Sequence, residues 1–556
     1  MMKFFKSRQL VLQRVSRTKP FRMLPLLMMV LLILSSSVLG QDSLKIEIGE
    51  HEQWWGGLSV DGHQMPFNRE TTLHRDLYGN NYGNQAQPLL ISSEGRYIWS
   101  EDPIEYRIED GKISVAASTG MIQSGRGGEN LPEVFKSVSR RFFPAEGGMP
   151  AEIMFRAPQY NTWIELMYDQ NQEDILEYAQ NIIDNGYPPG VIMIDDNWQQ
   201  DYGVWDFNRE RFPDPKKMME QLHEMGFKVM LWVCPFVSPD SEQFRELSEK
   251  GYLLVDEARQ DSTVMGRNFV TAALIQWWNG ASAVLDLSNP GARDWFKNQL
   301  DHLVEEYNVD GFKLDAGDAE FYRGNYLSHK PSLPNDHTTY FLEIGLVYPL
   351  NEYRASWKMA GQPLAQRLRD KTHEWEDLQK LIPDIISQGL MGYAFTCPDM
   401  IGGGEFLSFR DSATIDEELI VRSAQVHALM PMMQFSVAPW RVLSEENQKI
   451  TRDMAQLHAE MGDLFIELAE KSAETGEPIA RPLEYNYPGR GYAGIKDQFM
   501  LGTEILVAPV VRKGDRKRSV VLPPGDWKAE DGTRYSGPAT IKIDVPLERL
   551  PWFQKL

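Results

Sequence analysis

The stretch GFKLDAGD, Gly311 to Asp318, sets a lysine and two aspartates into an otherwise apolar or small run. Charged side chains are rarely buried unless they are paired or used. Lys313 and Asp315 sit two positions apart, so an extended strand puts them on one face. Other acidic residues close apolar runs in the same way: Asp195 and Asp196 after GVIMI, Asp286 after AVL, and Asp399 after GYAFTCP. A lone aspartate at a strand end commonly caps a helix or anchors a loop. Several such ends converging on one place make a cluster of carboxylates. Two carboxyl groups can cleave a sugar acetal, one attacking or stabilising the carbon and the other protonating the departing oxygen. Tryptophan and arginine suit the same chemistry, because flat rings stack on sugar faces and a guanidinium grips its partners through paired donors. The chain carries 15 Trp, although any single one is more simply a core or interface residue. There is no CxxC pair, no HExxH and no close histidine cluster, so no metal-ligand set is visible. No cofactor is needed for this chemistry, and none is expected.

Converging strand ends require a particular scaffold. From Pro150 onward short apolar runs alternate with helical patterns. The strand candidates are AEIMFRAPQY, GVIMIDD, FKVMLWVCPF, VLDLSN, VDGFKLDAG, NEYRASW, GYAFTCPDMIGG and MQFSVAPW. Helical spacing marks QEDILEYAQNIIDNG, PDPKKMMEQLHEMG, PGARDWFKNQLDHLVEEY, WEDLQKLIPDIISQGL and EELIVRSAQVHALMP. Near-continuously apolar strands that alternate with helices imply a parallel sheet covered on both faces. About eight such units suit a (β/α)8 barrel, whose strand ends meet at one mouth. An open doubly wound sheet is the competitor, and it is weakened by the lack of a Gly-rich loop after the first strand. The flanks have β character, with short alternating runs separated by turns. The expected organisation is a targeting segment at 1–40, an N-terminal β-sandwich at 41–149, the barrel at 150–460 and a C-terminal β-sandwich domain at 461–556.

Composition narrows the partners. The net charge is −22, although residues 1–40 hold seven basic and no acidic side chains, so the remainder is more acidic still. Such a surface repels nucleic acid and anionic membranes, and a neutral or cationic substrate fits better. Within residues 1–40 a basic stretch precedes LPLLMMVLLIL and SSSVLG, with Val38 and Gly40 placed as at a signal-peptidase site. A secreted or periplasmic protein is expected, or a membrane-anchored one if the segment stays uncleaved. With only two cysteines, Cys234 and Cys397, a disulfide-stapled fold is excluded. A bridge between those two is left open.

Five stretches, in chain order, carry a resemblance. GVIMIDDNW with WDFNRERFPDP, then WWNGASAVLDLSNPGARDWF, then DGFKLDAGD, then RDKTHEWEDLQKLIPDIISQGLMGYAFTCPDMIGG, and last EPIARPLEYNYP with DQFMLGTEILVAPVV resemble glycoside hydrolase family 31. PDMIGG and MPMMQFSVAPW are most similar to the branch that contains the myogenesis-regulating glycosidase and its bacterial relatives. The resemblance implies a nucleophile at Asp315. It implies an acid/base at Asp370, in RDKTHEW, with Trp375 matching the tryptophan of the same element. Arg369 and Lys371 stand where the family has Gly and Asn. The sugar-gripping arginine is implied at Arg354, sixteen positions before Asp370. Further substrate contacts are implied at Asp195, with Asp196 adjacent, and at Trp278 and Asp399. Lys313 stands where many members have Trp. Gln434, Phe435 and Ser436 stand where many have Arg-x-His. Both departures fall in the pocket that reads hydroxyls.

What the resemblance implies is a retaining exo-α-glycosidase acting on an oligosaccharide or other glycoside. The branch points to α-galactosides and the wider family to α-glucosides, with a lean toward galactoside. Lys313, sharing a strand face with Asp315, is expected to favour its ionised form and to contact a hydroxyl. Asp318 is expected to cap its loop. A melibiase-like α-galactosidase is one alternative, because IDDNWQQDYGVWDFNRERFPDP resembles that group too. A catalytically silent sugar-binding or regulatory protein is the other, and the presence of both Asp315 and Asp370 counts against it.

Overall fold

A computed structural model describes residues 42–556 apart from 119, 258–262, 265–266, 269–270 and 411–414. The targeting segment read at residues 1–40 lies outside the described residues. The central sheet has eight parallel strands: β1 (Gln159–Asn161), β2 (Val191–Ile194), β3 (Lys228–Val233), β4 (Gly311–Leu314), β5 (Leu350–Tyr353), β6 (Gln366–Arg367), β7 (Thr396–Cys397) and β8 (Gln434–Phe435). Neighbours follow chain order from β1 to β7, and β8 pairs with β1. A parallel bridge between Met400 and Gln434 spans the remaining seam, where Ile401 N–H donates to the Gln434 carbonyl at 2.8 Å. The sheet is a nearly closed (β/α)8 barrel.

Local sequence explains the elements. Every residue of VIMI in β2 is buried, as a strand covered on both faces requires. Gly311 opens β4 because a Cβ there would lie 1.9 Å from the Leu350 carbonyl oxygen of β5. The helix Pro290–Tyr307 starts with proline behind an Asn289 cap that accepts the Gly291 N–H at 2.9 Å. It stops at Asn308, whose φ is +59°.

One expected strand is absent from the barrel, and one that was not expected takes its place. The run VLDLSN is not a barrel strand. Gly280–Val284 instead joins Phe236–Val237 and Leu274–Trp277 in a three-stranded antiparallel sheet inserted after β3. The strand that completes the eight is β6, two residues long and lying just before the polar run RDKTHEW, which no periodicity reveals.

Two antiparallel sheets precede the barrel. One has the order 43–47, 112–117, 104–109, 73–76, and the other 54–58, 85–92, 96–100, 122–126. They face each other where Tyr106 seats against Gly57, at which an added Cβ would come within 2.3 Å of the phenol oxygen. The region also holds a helix, Leu131–Phe142, where the sequence suggests only β character and turns. Pro132 lies in its first turn, Asn130 caps it, and Leu131, Val134, Phe135 and Val138 form its buried stripe. Ser356–Trp357, just after β5, pairs in parallel with Gln85–Ala86 and stitches this region to the barrel. At the other end a six-stranded antiparallel sheet forms the C-terminal region, in the order 480–481, 499–501, 505–507, 552–555, 517–529, 534–544. Cys234 and Cys397 are both buried and free. Among the described residues no helix is long and apolar enough to cross a membrane.

Candidate active site

The C-terminal ends of the barrel strands open into a cavity of about 500 Å³. Asp195, Asp196, Trp278, Lys313, Asp315, Arg354 and Asp370 all line it. Seven of the nine residues singled out by sequence therefore meet in one place, from strands and loops up to 175 positions apart.

Asp315 directly follows β4, and its N–H donates to the Val233 carbonyl at 2.9 Å. Its carboxylate is fixed from two sides. Oδ1 accepts from Ala316 N at 2.8 Å and from Arg354 Nε at 3.0 Å, and Oδ2 accepts from the Trp232 indole at 3.2 Å. The Ala316 contact depends on a left-handed turn, with φ +60° at that residue. Burial alone would raise the pKa of Asp315. The Arg354, Lys313 and Arg367 charges outweigh it and hold the group below the ordinary carboxylate range.

Arg354 leaves β5 and is fully engaged. Besides Asp315 it grips Asp318 with both terminal nitrogens, at 2.9 and 2.7 Å, and donates to the Gly83 carbonyl of the N-terminal region at 2.7 Å. Asp318 therefore does not cap its loop, since its side chain makes no capping bond and serves as the arginine's bidentate partner. Lys313 lies two residues deeper along β4, about 7 Å further into the barrel. Its ammonium pairs with Asp195 Oδ2 at 2.5 Å, both side chains being about one-twentieth exposed. Burial disfavours that ammonium, but the Asp195 charge prevails and its pKa stays raised. The expected Lys313–Asp315 relation is thus electrostatic, and the direct ion pair goes to Asp195. Asp196 accepts from Asn279 at 2.6 Å and from the Tyr202 hydroxyl at 3.0 Å. Its burial, with Asp195 beside it, pushes its pKa up to about 7.

Asp370 occupies another wall and is 42% exposed. Among the described residues its ion-pair partner is Arg367 of β6 at 2.7 Å. Arg367 is buried, pairs with Asp399 at 2.7 Å through the same nitrogen, and lies 3.3 Å from Glu352. Trp278 is half exposed and packs on Phe321 with ring centres 6.1 Å apart. Trp163, Tyr168 and Phe406 add aromatic surface to the cavity.

Two sequence-derived contacts lie outside the cavity. Asp399 is completely buried, accepting from Arg367 and from the Lys371 N–H at 2.8 Å. Trp375 begins the helix Trp375–Leu390, and its indole donates to Asp416 at 2.9 Å. Asp286, noted as a strand-end acid, also points elsewhere. It belongs to the inserted sheet's loop, where it accepts from Ser288 and from the His329 N–H. Sequence reasoning missed Trp232 and Arg367. A charge closing the short run PLAQR was the only mark of the second.

Comparison with known proteins places this geometry. Residues 153–467 match the Glycosyl hydrolases family 31 TIM-barrel domain, and residues 476–556 match the Glycosyl hydrolase family 31 C-terminal domain. The chain is 34% identical over 432 residues to the myogenesis-regulating glycosidase of Mus musculus, covering 76% of this chain and 59% of that protein. It is 30% identical over 317 residues to the SITS-binding protein of Tetronarce californica, covering 55% of this chain and 44% of that one. The chain thus spans roughly half the length of these two relatives. Its fold is shared with a Flavobacterium johnsoniae GH31 dextranase complexed with glucose, at a TM-score of 0.79 and 20% identity, covering 92% of this chain and 66% of that one. The barrel-domain match alone takes in more than half of the chain, and this protein belongs to glycoside hydrolase family 31.

Proposed function

We propose that this protein is a retaining exo-α-glycosidase in which Asp315 is the nucleophile and Asp370 the acid/base. The observation that carries the reading is that these two carboxyl groups line one cavity in opposite environments. Asp315 is enclosed by cations and indole, hence ionised and oriented. Asp370 is partly open to solvent, as a group that exchanges protons with a leaving group and then with water requires. In the first step Asp315 attacks the anomeric carbon from the β face, and the bond to the aglycone oxygen breaks as Asp370 gives that oxygen its proton. Oδ2 is the attacking oxygen, because Oδ1 is already held by two donors. In the second step Asp370 takes a proton from water, which displaces Asp315 and restores the α configuration. Arg367 donates to the Asp370 carboxyl at 2.7 Å and orients it.

Arg354 serves the nucleophile and its loop, Trp278 offers a ring face to the sugar, and Lys313 with Asp195 and Asp196 faces its hydroxyls. Asp399 and Trp375 act indirectly, through the loop that carries Asp370. A carbohydrate substrate is supported by the dextranase of the same fold, whose structure holds glucose. We favour an α-galactoside over an α-glucoside, because the relative with 34% identity is a glycosidase of the branch the sequence resembles and Lys313 replaces a tryptophan in the hydroxyl-reading pocket. The basic and apolar stretch at residues 1–40 supports export to the cell exterior or periplasm. A binding-only protein remains the second reading, favoured by the relative named for binding. Matched nitrophenyl α-galactoside and α-glucoside decide among these. Turnover of either, lost in Asp315→Asn by a factor on the order of 10⁴ with the fold intact, supports the enzyme. Binding without turnover of any α-glycoside refutes it.

A further inference from the structure

Among the described residues the Asp370 side chain has one ion-pair contact, so its place in the cavity depends on the backbone that carries it. That backbone is clamped at the next residue. The Lys371 N–H donates to Asp399 at 2.8 Å, and the Lys371 carbonyl accepts from Gly404 and Glu405, each at 3.1 Å. The Lys371 side chain turns away from the cavity into the protein. Its ammonium meets Asp384 Oδ2 at 2.8 Å, where the two side chains are 7% and 1% exposed. Asp384 lies inside the helix Trp375–Leu390, one residue after Pro383. Its other oxygen accepts the His63 N–H at 3.2 Å, from a turn of the N-terminal region more than 300 positions away. That turn is pressed against the helix, since a Cβ on Gly62 would lie 2.2 Å from the Pro383 carbonyl oxygen.

We propose that the buried Lys371–Asp384 pair is a positioning device for the acid/base: it ties the Asp370 backbone to the helix behind it and, through His63, to the N-terminal region. The inference rests on the assignment of Asp370 made above and extends it to two residues that never touch substrate. An ion pair removed from solvent holds a defined geometry, and a displacement of about 1 Å at a proton donor costs about 100-fold in rate. Lys371 replaces the shorter, neutral side chain of the resembled motif, so this chain anchors the loop in its own way.

The test uses the leaving group as reporter. A phenyl glycoside of the preferred sugar needs its oxygen protonated, whereas a 2,4-dinitrophenyl glycoside departs without help. We would compare kcat/KM for both substrates in the wild type, Asp370→Asn, Lys371→Met and Lys371→Met/Asp384→Leu. The double variant leaves no unpaired charge buried and so preserves the fold if the single one does not. The expected result is a loss of at least about tenfold for the phenyl substrate with little change for the dinitrophenyl one, in the same sense as Asp370→Asn. An equal loss on both substrates, or no loss on either, overturns the positioning role while leaving the assignment of Asp370 standing. If Asp370→Asn itself shows no dependence on the leaving group, it is the acid/base assignment that fails.

Discussion

Lys313 and Asp195 show how one side chain can be legible and its partner not. Their types and strand-end positions marked both as site residues, but only the fold shows that they neutralise each other at 2.5 Å. Removing one member of a buried pair strands the other, which costs about 3–5 kcal/mol. Lys313→Met is therefore expected to destabilise the protein by about that amount in urea denaturation. Lys313→Met/Asp195→Leu, which buries no charge, should recover most of the loss. If the single variant is as stable as the wild type, the pair carries no such strain. Asp318 teaches the complementary lesson. Its bidentate partner Arg354 lies 36 positions away, so nothing in AGD distinguishes a loop cap from an arginine clamp. Asp315, Asp370 and Arg354 were readable because long ordered motifs surround them. Trp232 was hidden within an apolar strand where an indole reads as core.

Among the elements, long periodic helices and fully apolar strands declared themselves, and two-residue strands did not. β6 is Gln366–Arg367, both buried although polar, because the barrel supplies partners that the local sequence does not advertise. The run VLDLSN, which overlaps the inserted strand Gly280–Val284 only at Val284, looked like a barrel strand because an apolar run is silent about whether its neighbour is parallel or antiparallel. The loop after β7 makes a sharper prediction. Gly404 packs so tightly that an added Cβ would lie 3.0 Å from Asp399 Oδ1 and 3.2 Å from Asp370 Cγ. If Asp370 is the acid/base proposed above, Gly404→Ala should lower kcat/KM by about tenfold or more by displacing that carboxyl, while the thermal midpoint falls only slightly. An unchanged rate would mean that Asp370 has room to spare.

The whole molecule holds the site from outside the barrel. Gln85 of the N-terminal region donates to the carbonyls of Arg354 and Arg367 at 2.6 and 2.8 Å, and Asn81 accepts the Ala319 N–H at 2.8 Å. The flanking β-region was legible as a domain, but its role as a buttress for the loops that line the cavity was not. Acid stability is also a property of the assembled fold. His427 and His458 are buried between helices, and burial pushes their pKa values down to about 3 and about 4. Unfolded histidines titrate near 6.5, so between about pH 6.5 and 4 the unfolded chain binds protons that the native state refuses. The histidine contribution to stability therefore falls as pH drops through that window, while Asp196, whose pKa burial raises, acts in the opposite sense. Comparing His427→Leu with the wild type isolates the histidine part: the variant's thermal midpoint should gain on the wild type's as pH is lowered from 7 to 4. A difference between the two that does not change with pH would contradict the burial account.

The most direct measurement is a covalent trap. A 5-fluoro-α-glycosyl fluoride of the preferred sugar slows the second step, so the glycosyl-enzyme accumulates and the labelled peptide can be sequenced by mass spectrometry. The account predicts one sugar per chain, on Asp315, and no label in Asp315→Asn. A label on any other carboxylate, or turnover of the parent glycoside without a trapped adduct, would contradict it.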